Sequence, residues 1–226
     1  MIRVCLAGVT GWVGRPLASA IRDADDLELV AAVSRRGGDD VTHTSLEDAL
    51  RVPSDVFVDY TSAAAVKSNV LLAVNAGRHV VVGSSGLTNE DFAEIDAAAR
   101  SKNVGVIAVG NFAITAALLQ RFAVEAAKHI PDFEIIDIAY KEKIDAPSGT
   151  ARELAWNLGV DASKVHSLRL PGYTIGLEVR FGREDERLTL HYDGGPGAKP
   201  YISGTLLAIR RVGGLVGVAR GMDAIL

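Results

Sequence analysis

A lysine, a carboxylate and a turn of small hydroxyl residues occur together within one short stretch of the chain. Residues 143–151, the lysine segment, read Lys-Ile-Asp-Ala-Pro-Ser-Gly-Thr-Ala. An ammonium group and the backbone N–H groups of a glycine-containing turn form charge-assisted hydrogen bonds with anions, and these are stronger than neutral ones. The lysine segment therefore predicts a binding site for a small carboxylated substrate.

A glycine-rich segment near the start of the chain predicts a second binding site. Residues 8–14 read Gly-Val-Thr-Gly-Trp-Val-Gly, directly after an apolar run and before a segment with helical spacing. Glycines at such a junction allow a tight turn and let backbone N–H groups reach a dinucleotide pyrophosphate at the helix N-terminus. A purely structural turn is the alternative. The residues predicted to bind the dinucleotide here are Gly8, Thr10, Gly11, Trp12, Val13 and Gly14.

The residues after the second predicted strand indicate which dinucleotide is preferred. Sites for NAD place an acidic residue here, where it accepts a hydrogen bond from the ribose 2′-hydroxyl. This chain has Ser34, Arg35 and Arg36 instead. Two guanidinium groups and a hydroxyl suit a 2′-phosphate, so the sequence favours NADPH as cofactor, with NADH as the second choice. Arginines that only cap an exposed strand end are the competing interpretation.

Two further loops follow predicted strands, at the edge where open α/β sheets bind ligands. Residues 59–62 read Asp-Tyr-Thr-Ser, and residues 83–86 read Gly-Ser-Ser-Gly. Their small and hydroxyl residues would let a nicotinamide and its ribose lie against the backbone. Either loop is equally consistent with an ordinary helix N-cap. The cofactor contacts predicted in the two loops are Tyr60, Thr61, Gly83 and Ser85.

Alternating strand and helix patterns in the first half position these loops on a parallel sheet. Continuous apolar runs, typical of strands buried on both faces, are separated by segments with helical spacing. The predicted strands are 2–7, 27–33, 56–60, 79–82 and 105–109, and the predicted helices are 15–21, 64–76 and 90–99. This pattern indicates α/β architecture with a Rossmann-like, doubly wound parallel sheet.

The pattern changes in the second half and predicts a smaller α+β domain. The predicted elements are helix 115–129, strand 133–141, helix 151–158, strands 177–181 and 187–191, and helix 203–212. The first strand leads directly into the lysine segment. The last two strands are joined by a charged turn, as in an antiparallel hairpin.

Composition and charge exclude several other classes of protein. Of the 226 residues 48% are hydrophobic, enough for a buried core, and the net charge of −4 is unlike that of a nucleic-acid-binding domain. The single cysteine, Cys5, excludes an intrachain disulfide, and we expect it to be buried. We recognise no membrane span, no secretory leader and no metal-ligand spacing, and so expect a cytoplasmic protein without a metal site.

Five motifs occur along the chain in a characteristic order. They are residues 8–14, Asp-Tyr-Thr at 59–61, residues 83–86, Gly-Asn-Phe at 110–112 and the lysine segment. This order resembles that of the 4-hydroxy-tetrahydrodipicolinate reductase (dihydrodipicolinate reductase) family, and the resemblance spans nearly the whole chain. It implies an NAD(P)H-binding domain, 1–112 with 204–226, and a domain over 113–203 that binds a cyclic imine-type dicarboxylate. It also implies lysine and diaminopimelate synthesis, and a homotetramer or dimer that pairs through the second domain.

The resemblance implies roles for individual residues as well. Lys143 corresponds to the family's proton-donating and substrate-binding lysine. Gly110 and Phe112, with Asn111 between them, correspond to the junction between the domains near the nicotinamide. The residues implied to bind the substrate are Lys143, Ser148, Gly149 and Thr150, the last three through backbone N–H and hydroxyl groups.

Three departures from the family pattern concern the same domain. Where the family has two adjacent histidines before the lysine, this chain has Ala139 and Tyr140. Alanine cannot transfer a proton, whereas the phenol of Tyr140 can donate a hydrogen bond, so we predict that Tyr140 orients the substrate or relays a proton. The stretch between residues 158 and 177 is shorter than the family's, and an expected arginine is replaced by Ala198 beside Lys199.

These departures leave more than one function open. His166 and His191 could supply a substitute acid, although a structural role is the commoner one for such histidines. The leading hypothesis is an NADPH-dependent reductase of a C=N or conjugated C=C bond in a small carboxylated substrate, with the family's substrate as one candidate. The alternatives are a paralogous imine, enamine or amino-acid reductase, and a nucleotide-binding regulator that has lost catalysis.

Overall fold

The computed structural model describes residues 1–226, apart from the side chain of Ala162, and consists of two units. One comprises residues 1–109 and 201–226, and the other residues 110–200. In chain order the elements are β1 (Ile2–Ala7), α1 (Gly14–Arg22), β2 (Leu27–Val33), α2 (Leu46–Ala49), β3 (Val56–Asp59), α3 (Val66–Asn75), β4 (His79–Val82), α4 (Asn89–Ser101), β5 (Gly105–Ala108), α5 (Ile114–Ala127), β6 (Phe133–Ala139), α6 (Gly149–Asn157), β7 (Val165–Arg169), β8 (Ile175–Arg183), β9 (Glu186–Gly194), α7 (Lys199–Arg211) and β10 (Gly217–Arg220). Short 3-10 helices cover Ala162–Lys164, Val212–Gly214 and Met222–Ala224.

Six parallel strands form the sheet of the first unit, in the order β10-β5-β4-β3-β1-β2. Every residue of β3 and β5 is buried, as continuous apolar strands require when helices cover both faces of a sheet. The buried cluster joins strand residues such as Phe57 and Val80 to helix residues such as Val70 and Ile95. The predicted Rossmann-like fold is confirmed.

The last strand of this sheet, β10, is absent from the sequence prediction. It is four residues long, begins at Gly217 with a left-handed backbone (φ 84°) and pairs with β5. Three of its four residues are only partly buried, so it lacks the continuous apolar run that marks the other strands. A strand of this kind is recognised only by its neighbour in the sheet.

The helices are close to their predicted positions. Helix α4 begins with a capping box, in which Thr88 and Asp91 bond each other's backbone N–H groups. Helix α7 begins at Lys199, four residues before its predicted start at 203. None of the helices that the structure describes is long and apolar enough to cross a membrane.

The sheet of the second unit has four strands in the order β7-β6-β8-β9. Strands β8 and β9 form the predicted antiparallel hairpin, and its tight turn places Asp185 in the left-handed region (φ 61°). Strand β7 was not predicted; it pairs with β6 in parallel. Its residues Val165–Arg169 alternate between partly buried and exposed positions, which is the weak pattern of an edge strand.

Helices α5 and α6 pack on one face of this sheet. Because side chains alternate along a strand, Ile135, Asp137 and Ala139 of β6 share one face, and all three are buried. The side chains that lie on the opposite face and are exposed include Glu134, His166, Leu168, Arg180 and His191. The lysine segment follows β6 and leads into α6, so the sheet and the helix together fix its two ends.

Candidate active site

The glycine loop between β1 and α1 depends on two of its three glycines for close packing. Gly8 has a left-handed backbone (φ 85°), and a Cβ atom there would lie 2.1 Å from the carbonyl oxygen of Tyr60. A Cβ atom on Gly14 would lie 2.0 Å from the carbonyl oxygen of Gly8. Gly11 closes the turn by donating its N–H to the Gly8 carbonyl at 2.9 Å. The tight approach of loop, helix and neighbouring strand is the one that dinucleotide-binding loops require.

The N-terminus of α1 is suited to an anion. Its N-cap residue, Val13, makes no side-chain hydrogen bond to the first turn, and no acidic residue lies in that turn. Arg15 donates its N–H to the Gly11 carbonyl at 3.1 Å and Pro16 has no N–H, so the Gly14 N–H and the positive end of the helix dipole are left for a ligand. Thr10 and Trp12 are exposed beside this turn, and the Trp12 ring lies edge-on to Tyr201 with centroids 5.6 Å apart.

Positive charge is available at the end of β2. The Ser34 hydroxyl lies 3.1 Å from the hydroxyl of Thr10, which joins this strand end to the glycine loop. Arg35 and Arg36 are exposed, and neither forms a salt bridge within the described part of the chain. The nearby Arg22 differs, since it pairs with Asp40 at 3.2 Å. Two uncommitted guanidiniums beside a hydroxyl fit the 2′-phosphate of a dinucleotide.

A buried carboxylate that the sequence analysis did not single out organises the loops after β3 and β4. Asp59 is fully buried. Its Oδ1 accepts hydrogen bonds from the backbone N–H (3.0 Å) and hydroxyl (2.9 Å) of Thr61 and from the Ser84 hydroxyl (2.6 Å). Its Oδ2 accepts one from the Asn69 amide at 2.9 Å. The sequence does contain a sign of this arrangement, since Asp59 ends an otherwise apolar strand. A carboxylate that is buried there needs hydrogen-bond donors from neighbouring loops.

Tyr60 contributes to this site by packing. Its hydroxyl lies 2.7 Å from the Thr205 hydroxyl, and its ring covers Gly83, where a Cβ atom would lie 2.3 Å from the ring. Burial raises the pKa of the Tyr60 phenol, so the group stays neutral. Ser85, by contrast, is exposed in the neighbouring loop.

The alternative that these two loops are helix N-caps does not hold. Helix α3 has Ala65 at its N-cap, without a side-chain hydrogen bond, and α4 is capped by Thr88. The hydroxyls of Thr61 and Ser84 go to Asp59 instead. The two loops are therefore held by Asp59, and their hydroxyl groups do not cap a helix.

In the second unit, Lys143 is held by an ion pair within the lysine segment. Its Nζ lies 2.5 Å from Oδ1 of Asp145, and the lysine side chain is 19% exposed. Burial acts to raise the pKa of the Asp145 carboxyl, but the hydrogen bond from Lys143, with the charges of Lys143 and Arg152, outweighs it and lowers that pKa. The Lys143 ammonium is thus fixed in direction while part of it still faces solvent.

The hydroxyl turn of the lysine segment forms the N-terminus of α6. Ser148 is its N-cap: the Ser148 Oγ accepts the Ala151 N–H at 3.3 Å, and its own N–H goes to Asp137 at 2.8 Å. The Thr150 hydroxyl donates to the Gly110 carbonyl at 3.3 Å. The predicted carboxylate-binding groups of Ser148 and the hydroxyl of Thr150 therefore already have partners. The N–H groups of Gly149 and Thr150, in the first helical turn, remain as the anion donors.

A second buried carboxylate, Asp137, supports the lysine segment from the sheet. It is fully buried and forms an ion pair with Arg169 of β7, at 2.7 Å between Oδ2 and Nη2. The same Arg169 Nη2 also donates to the Asp145 carbonyl at 2.6 Å. Arg169 is not recognisable from the sequence, because β7, the strand that carries it, has only the weak pattern of an edge strand.

Ala139 and Tyr140, the two residues before the lysine turn, differ sharply in environment. Ala139 is fully buried, in register with Arg169 on one side and Ile175 on the other. Tyr140 follows it and is 46% exposed. The Tyr140 backbone carbonyl accepts the Lys143 N–H at 3.2 Å, so the phenol projects from the start of the turn that carries the lysine.

The Gly-Asn-Phe motif is anchored inside the second unit by a residue the sequence analysis did not identify. Glu153 of α6 accepts the Gly110 N–H at 2.5 Å and the Gln120 amide at 3.3 Å. Asn111 is buried and bonds the Ala113 N–H at 2.9 Å. The Phe112 side chain is also buried, so only its backbone is available for the predicted contact with the cofactor.

The two histidines considered as substitute acids lie on the other face of the sheet. His166 and His191 pair in register with Ile136 and Glu178, whereas Asp137 belongs to the opposite, helix-covered face. His166 lies 2.9 Å from Glu134, and His191 lies between Asp193 (2.8 Å) and Glu178 (3.0 Å). Both are engaged in surface pairs, which agrees with their structural interpretation.

Other chemistry has little support in the described residues. Cys5 is buried, and burial raises the pKa of its thiol to about 12, so it is a neutral apolar residue as expected. The described residues contain no group of three or more His, Cys, Asp or Glu side chains that could hold a metal ion.

Comparison with known proteins gives a consistent family. Residues 2–112 match the family described as "Dihydrodipicolinate reductase, N-terminus", and residues 115–226 match "Dihydrodipicolinate reductase, C-terminus". The 4-hydroxy-tetrahydrodipicolinate reductase of Coxiella burnetii (strain CbuG_Q212) is 35% identical over 212 residues, covering 85% of this chain and 86% of that protein. That of Halalkalibacterium halodurans is 34% identical over 264 residues and covers 100% of both.

Solved structures agree with these sequence matches. A dipicolinate-bound dihydrodipicolinate reductase from Paenisporosarcina sp. TG-14 is 27% identical, with a TM-score of 0.82 and 100% of both chains covered. A probable dehydrogenase from Thermotoga maritima is 12% identical, with a TM-score of 0.73, covering 98% of this chain and 92% of that one. The second likeness concerns the fold alone.

Proposed function

The chain belongs to the dihydrodipicolinate reductase family, and from this we propose that it uses a pyridine nucleotide to reduce a C=N bond, or a C=C bond conjugated with it, in a small carboxylated cyclic imine. The proposed reaction is that of 4-hydroxy-tetrahydrodipicolinate reductase, in lysine and diaminopimelate synthesis. One observation carries it: the Lys143 ammonium, held by Asp145, lies in the segment that also begins α6.

Lys143 is the proposed proton donor. Reduction of a C=N bond, or of a C=C bond conjugated with it, adds a hydride to carbon and a proton at the other end of the reduced system, and a bound nicotinamide would supply the hydride. The ammonium of Lys143 carries the proton, and its bond to Asp145 fixes its direction. Tyr140, exposed at the start of the same turn, is proposed to orient the substrate or relay the proton.

A substrate carboxylate is proposed to bind at the start of α6. The N–H groups of Gly149 and Thr150 belong to the first helical turn and have no acceptor within the helix. Ser148 and the Thr150 hydroxyl hold this turn in place through their bonds to Asp137 and Gly110. We therefore propose that the backbone of this turn binds the anion and that these side chains preorganise it.

NADPH is the proposed physiological cofactor. The glycine loop, the uncapped N-terminus of α1 and the Asp59-organised loops support a pyridine nucleotide. Preference for the phosphorylated form rests on Arg35 and Arg36, which are exposed and free of salt bridges in the described part of the chain. NADH remains the second choice, as no acidic residue occupies this strand end.

A second candidate, a paralogous reductase of a different cyclic imine, enamine or amino acid, is favoured by Ala139 and Tyr140. The buried methyl of Ala139 cannot transfer a proton. His166 and His191, which could have replaced the missing acid, lie on the far face of the sheet. A different substrate, protonated by Lys143 alone, accounts for this arrangement.

The test is NADPH oxidation, followed by absorbance, with freshly generated hydroxy-tetrahydrodipicolinate and a panel of other cyclic imines. We expect oxidation with the family's substrate, and a loss of roughly 10²–10⁴-fold in kcat for Lys143→Ala, the usual contribution of a general acid. Lys141→Ala is the matched control, since Lys141 is an exposed lysine two residues away. It should retain the activity of the unaltered protein.

Each other outcome is informative. Oxidation only with another imine would select the paralogous reductase. Measurable NADPH binding without oxidation of any substrate would instead indicate a catalytically silent regulator. Full activity in the Lys143→Ala protein would remove the lysine from the mechanism.

We also propose that the protein is a homo-oligomer, a tetramer or dimer, that pairs through the sheet of the second unit. The helices pack on one face of this sheet, and the other exposes Leu168 (42%) among charged side chains. Light scattering after size-exclusion chromatography should give a multiple of the 23.8 kDa chain mass. A monomer at micromolar concentration would contradict this proposal.

A further inference from the structure

A buried ion pair joins the central strand of the second sheet to its edge strand, directly behind the lysine segment. We propose that Arg169, with its partner Asp137, is a positioning residue that fixes the lysine segment for substrate binding. This inference rests on the proposed function and extends it to a residue outside the family motifs.

Arg169 holds the first part of the segment. Its Nη2 donates to Asp137 Oδ2 at 2.7 Å and to the backbone carbonyl of Asp145 at 2.6 Å. Its Nη1 donates to the carbonyls of Asp137 (3.2 Å) and Leu168 (2.9 Å). A planar guanidinium presents several donors in a fixed fork and so holds the strand and the loop in one defined geometry, whereas the three donors of an ammonium rotate.

Asp137 holds the end of the same segment. Its Oδ2 accepts the backbone N–H of Ser148 at 2.8 Å and the hydroxyl of Ser167 at 3.2 Å. The residues between Asp145 and Ser148 are thus tied at both ends to one ion pair. Since Lys143 is bonded to the Asp145 side chain, its ammonium depends on the same support.

The ion pair is poorly built for stability alone. Asp137 is fully buried and the Arg169 side chain is 14% exposed, so both charges lose much of their hydration. Asp137 Oδ1 and Arg169 Nε are buried without a hydrogen-bond partner in the described structure. Apolar residues would often serve a core equally well, whereas only this pair supplies a donor to Asp145 and an acceptor to Ser148.

The test compares Arg169→Gln and Arg169→Lys with the unaltered protein. Arg183→Gln is the matched control, because Arg183 ends β8 at the hairpin turn of the same sheet, is exposed and pairs with Glu186. Two quantities are measured: hydrogen–deuterium exchange in peptides covering residues 143–151, and the Kd for dipicolinate, the compound bound by the Paenisporosarcina relative. Neither readout requires turnover.

We expect Arg169→Gln to accelerate exchange in the lysine segment and to raise the dipicolinate Kd about 10–100-fold, as misplaced binding groups do. Arg169→Lys keeps the charge beside Asp137 but loses the second donor, so it should restore part of the affinity. The Kd for NADPH and exchange in residues 1–109 should stay unchanged. Arg183→Gln should behave as the unaltered protein in every measurement.

Unchanged exchange and unchanged Kd in Arg169→Gln would overturn the positioning role. Equal losses in Arg183→Gln would do so as well, because they would show a general destabilisation. If Arg169→Gln does not fold, Arg169→Lys decides by the same criteria. If the unaltered protein neither binds dipicolinate nor reduces any imine, the proposed function fails, while faster exchange in the Arg169 variants would still support the positioning of the segment.

Discussion

The ammonium of Lys143 lies 2.5 Å from a carboxylate oxygen of Asp145, two residues further along the same turn. Burial of Asp145 acts to raise its carboxyl pKa, but the Lys143 hydrogen bond and the neighbouring charges lower it overall. The Asp145 carboxyl is therefore ionised at neutral pH. Asp145 thereby fixes the direction of the Lys143 ammonium.

Asp145→Asn should lower the free energy of unfolding at neutral pH but not at acidic pH. A carboxyl whose pKa is depressed on folding stabilises the protein above its unfolded pKa of about 3.9, and this contribution is lost as the pH falls through the lower, folded value. The free energy of unfolding should thus differ between variant and unaltered protein at about pH 7, and the difference should shrink below about pH 4. Urea titrations measure it. A difference independent of pH would exclude the ion pair as its source.

Removal of Arg35 or Arg36 should alter the choice of cofactor. Arg35→Ala and Arg36→Ala are each expected to raise the KM for NADPH about tenfold, the worth of one charged hydrogen bond, with little change for NADH. Steady-state kinetics with both cofactors measures the ratio. Arg51→Ala is the control, since Arg51 is 82% exposed and pairs only with Asp48. Equal losses with NADPH and NADH would contradict a 2′-phosphate site at these arginines.

An alanine at Gly8 should cost far more stability than one at Gly77. Both glycines have left-handed backbones (φ 85° and 73°), so alanine is strained by ~1–2 kcal/mol at either position. Only at Gly8 would the added Cβ meet backbone, the Tyr60 carbonyl at 2.1 Å; at Gly77 nothing lies within 4 Å. We expect Gly8→Ala to lose at least about 3 kcal/mol of unfolding free energy in urea. Equal losses of unfolding free energy in the Gly8 and Gly77 variants would mean that the left-handed backbone alone, without the contact to Tyr60, explains why Gly8 is a glycine.

The parallel sheet of the first unit could be predicted from the sequence because its strands are continuous apolar runs. Strands β1 and β2 have the predicted bounds, Ile2–Ala7 and Leu27–Val33. Strand β10 could not be recognised in the same way. It has four residues, starts at a glycine and is defined by its pairing with β5, which lies over a hundred residues earlier in the chain.

The lysine segment was recognised from its residues, but its supports were not. Asp59 and Asp137 are fully buried carboxylates in apolar strands, and each needs partners that come from distant parts of the chain. For Asp137 the partner is Arg169, 32 residues away on the edge strand β7. An aspartate within an apolar strand indicates that such a partner exists, and only the strand pairing shows which residue it is.

The stabilising contribution of His191 should depend on pH. Its hydrogen bond to Asp193 raises the His191 pKa, with the charge of Asp193 and the contact with Glu178 adding to this against the effect of burial. A histidine whose pKa is raised on folding stabilises the protein below its unfolded pKa of about 6.5 and loses this as the pH rises through the folded value. His191→Gln should therefore cost more stability at about pH 5.5 than at about pH 9. The opposite trend in urea titrations would contradict the charged pair.

A histidine should be tolerated without loss of stability at Tyr140 but not at Ala139. Tyr140 is 46% exposed, so Tyr140→His should change the free energy of unfolding by no more than about 0.5 kcal/mol. Ala139 is fully buried between Arg169 and Ile175 in the sheet register, so Ala139→His should lose about 1–3 kcal/mol through overpacking.

Urea unfolding of the two variants measures this asymmetry. If Ala139→His were as stable as the unaltered protein, the strand would have room for the imidazole, and the alanine would be a simple loss of a catalytic group. If it is destabilised as expected, the alanine is part of the packing around Arg169 and Asp137.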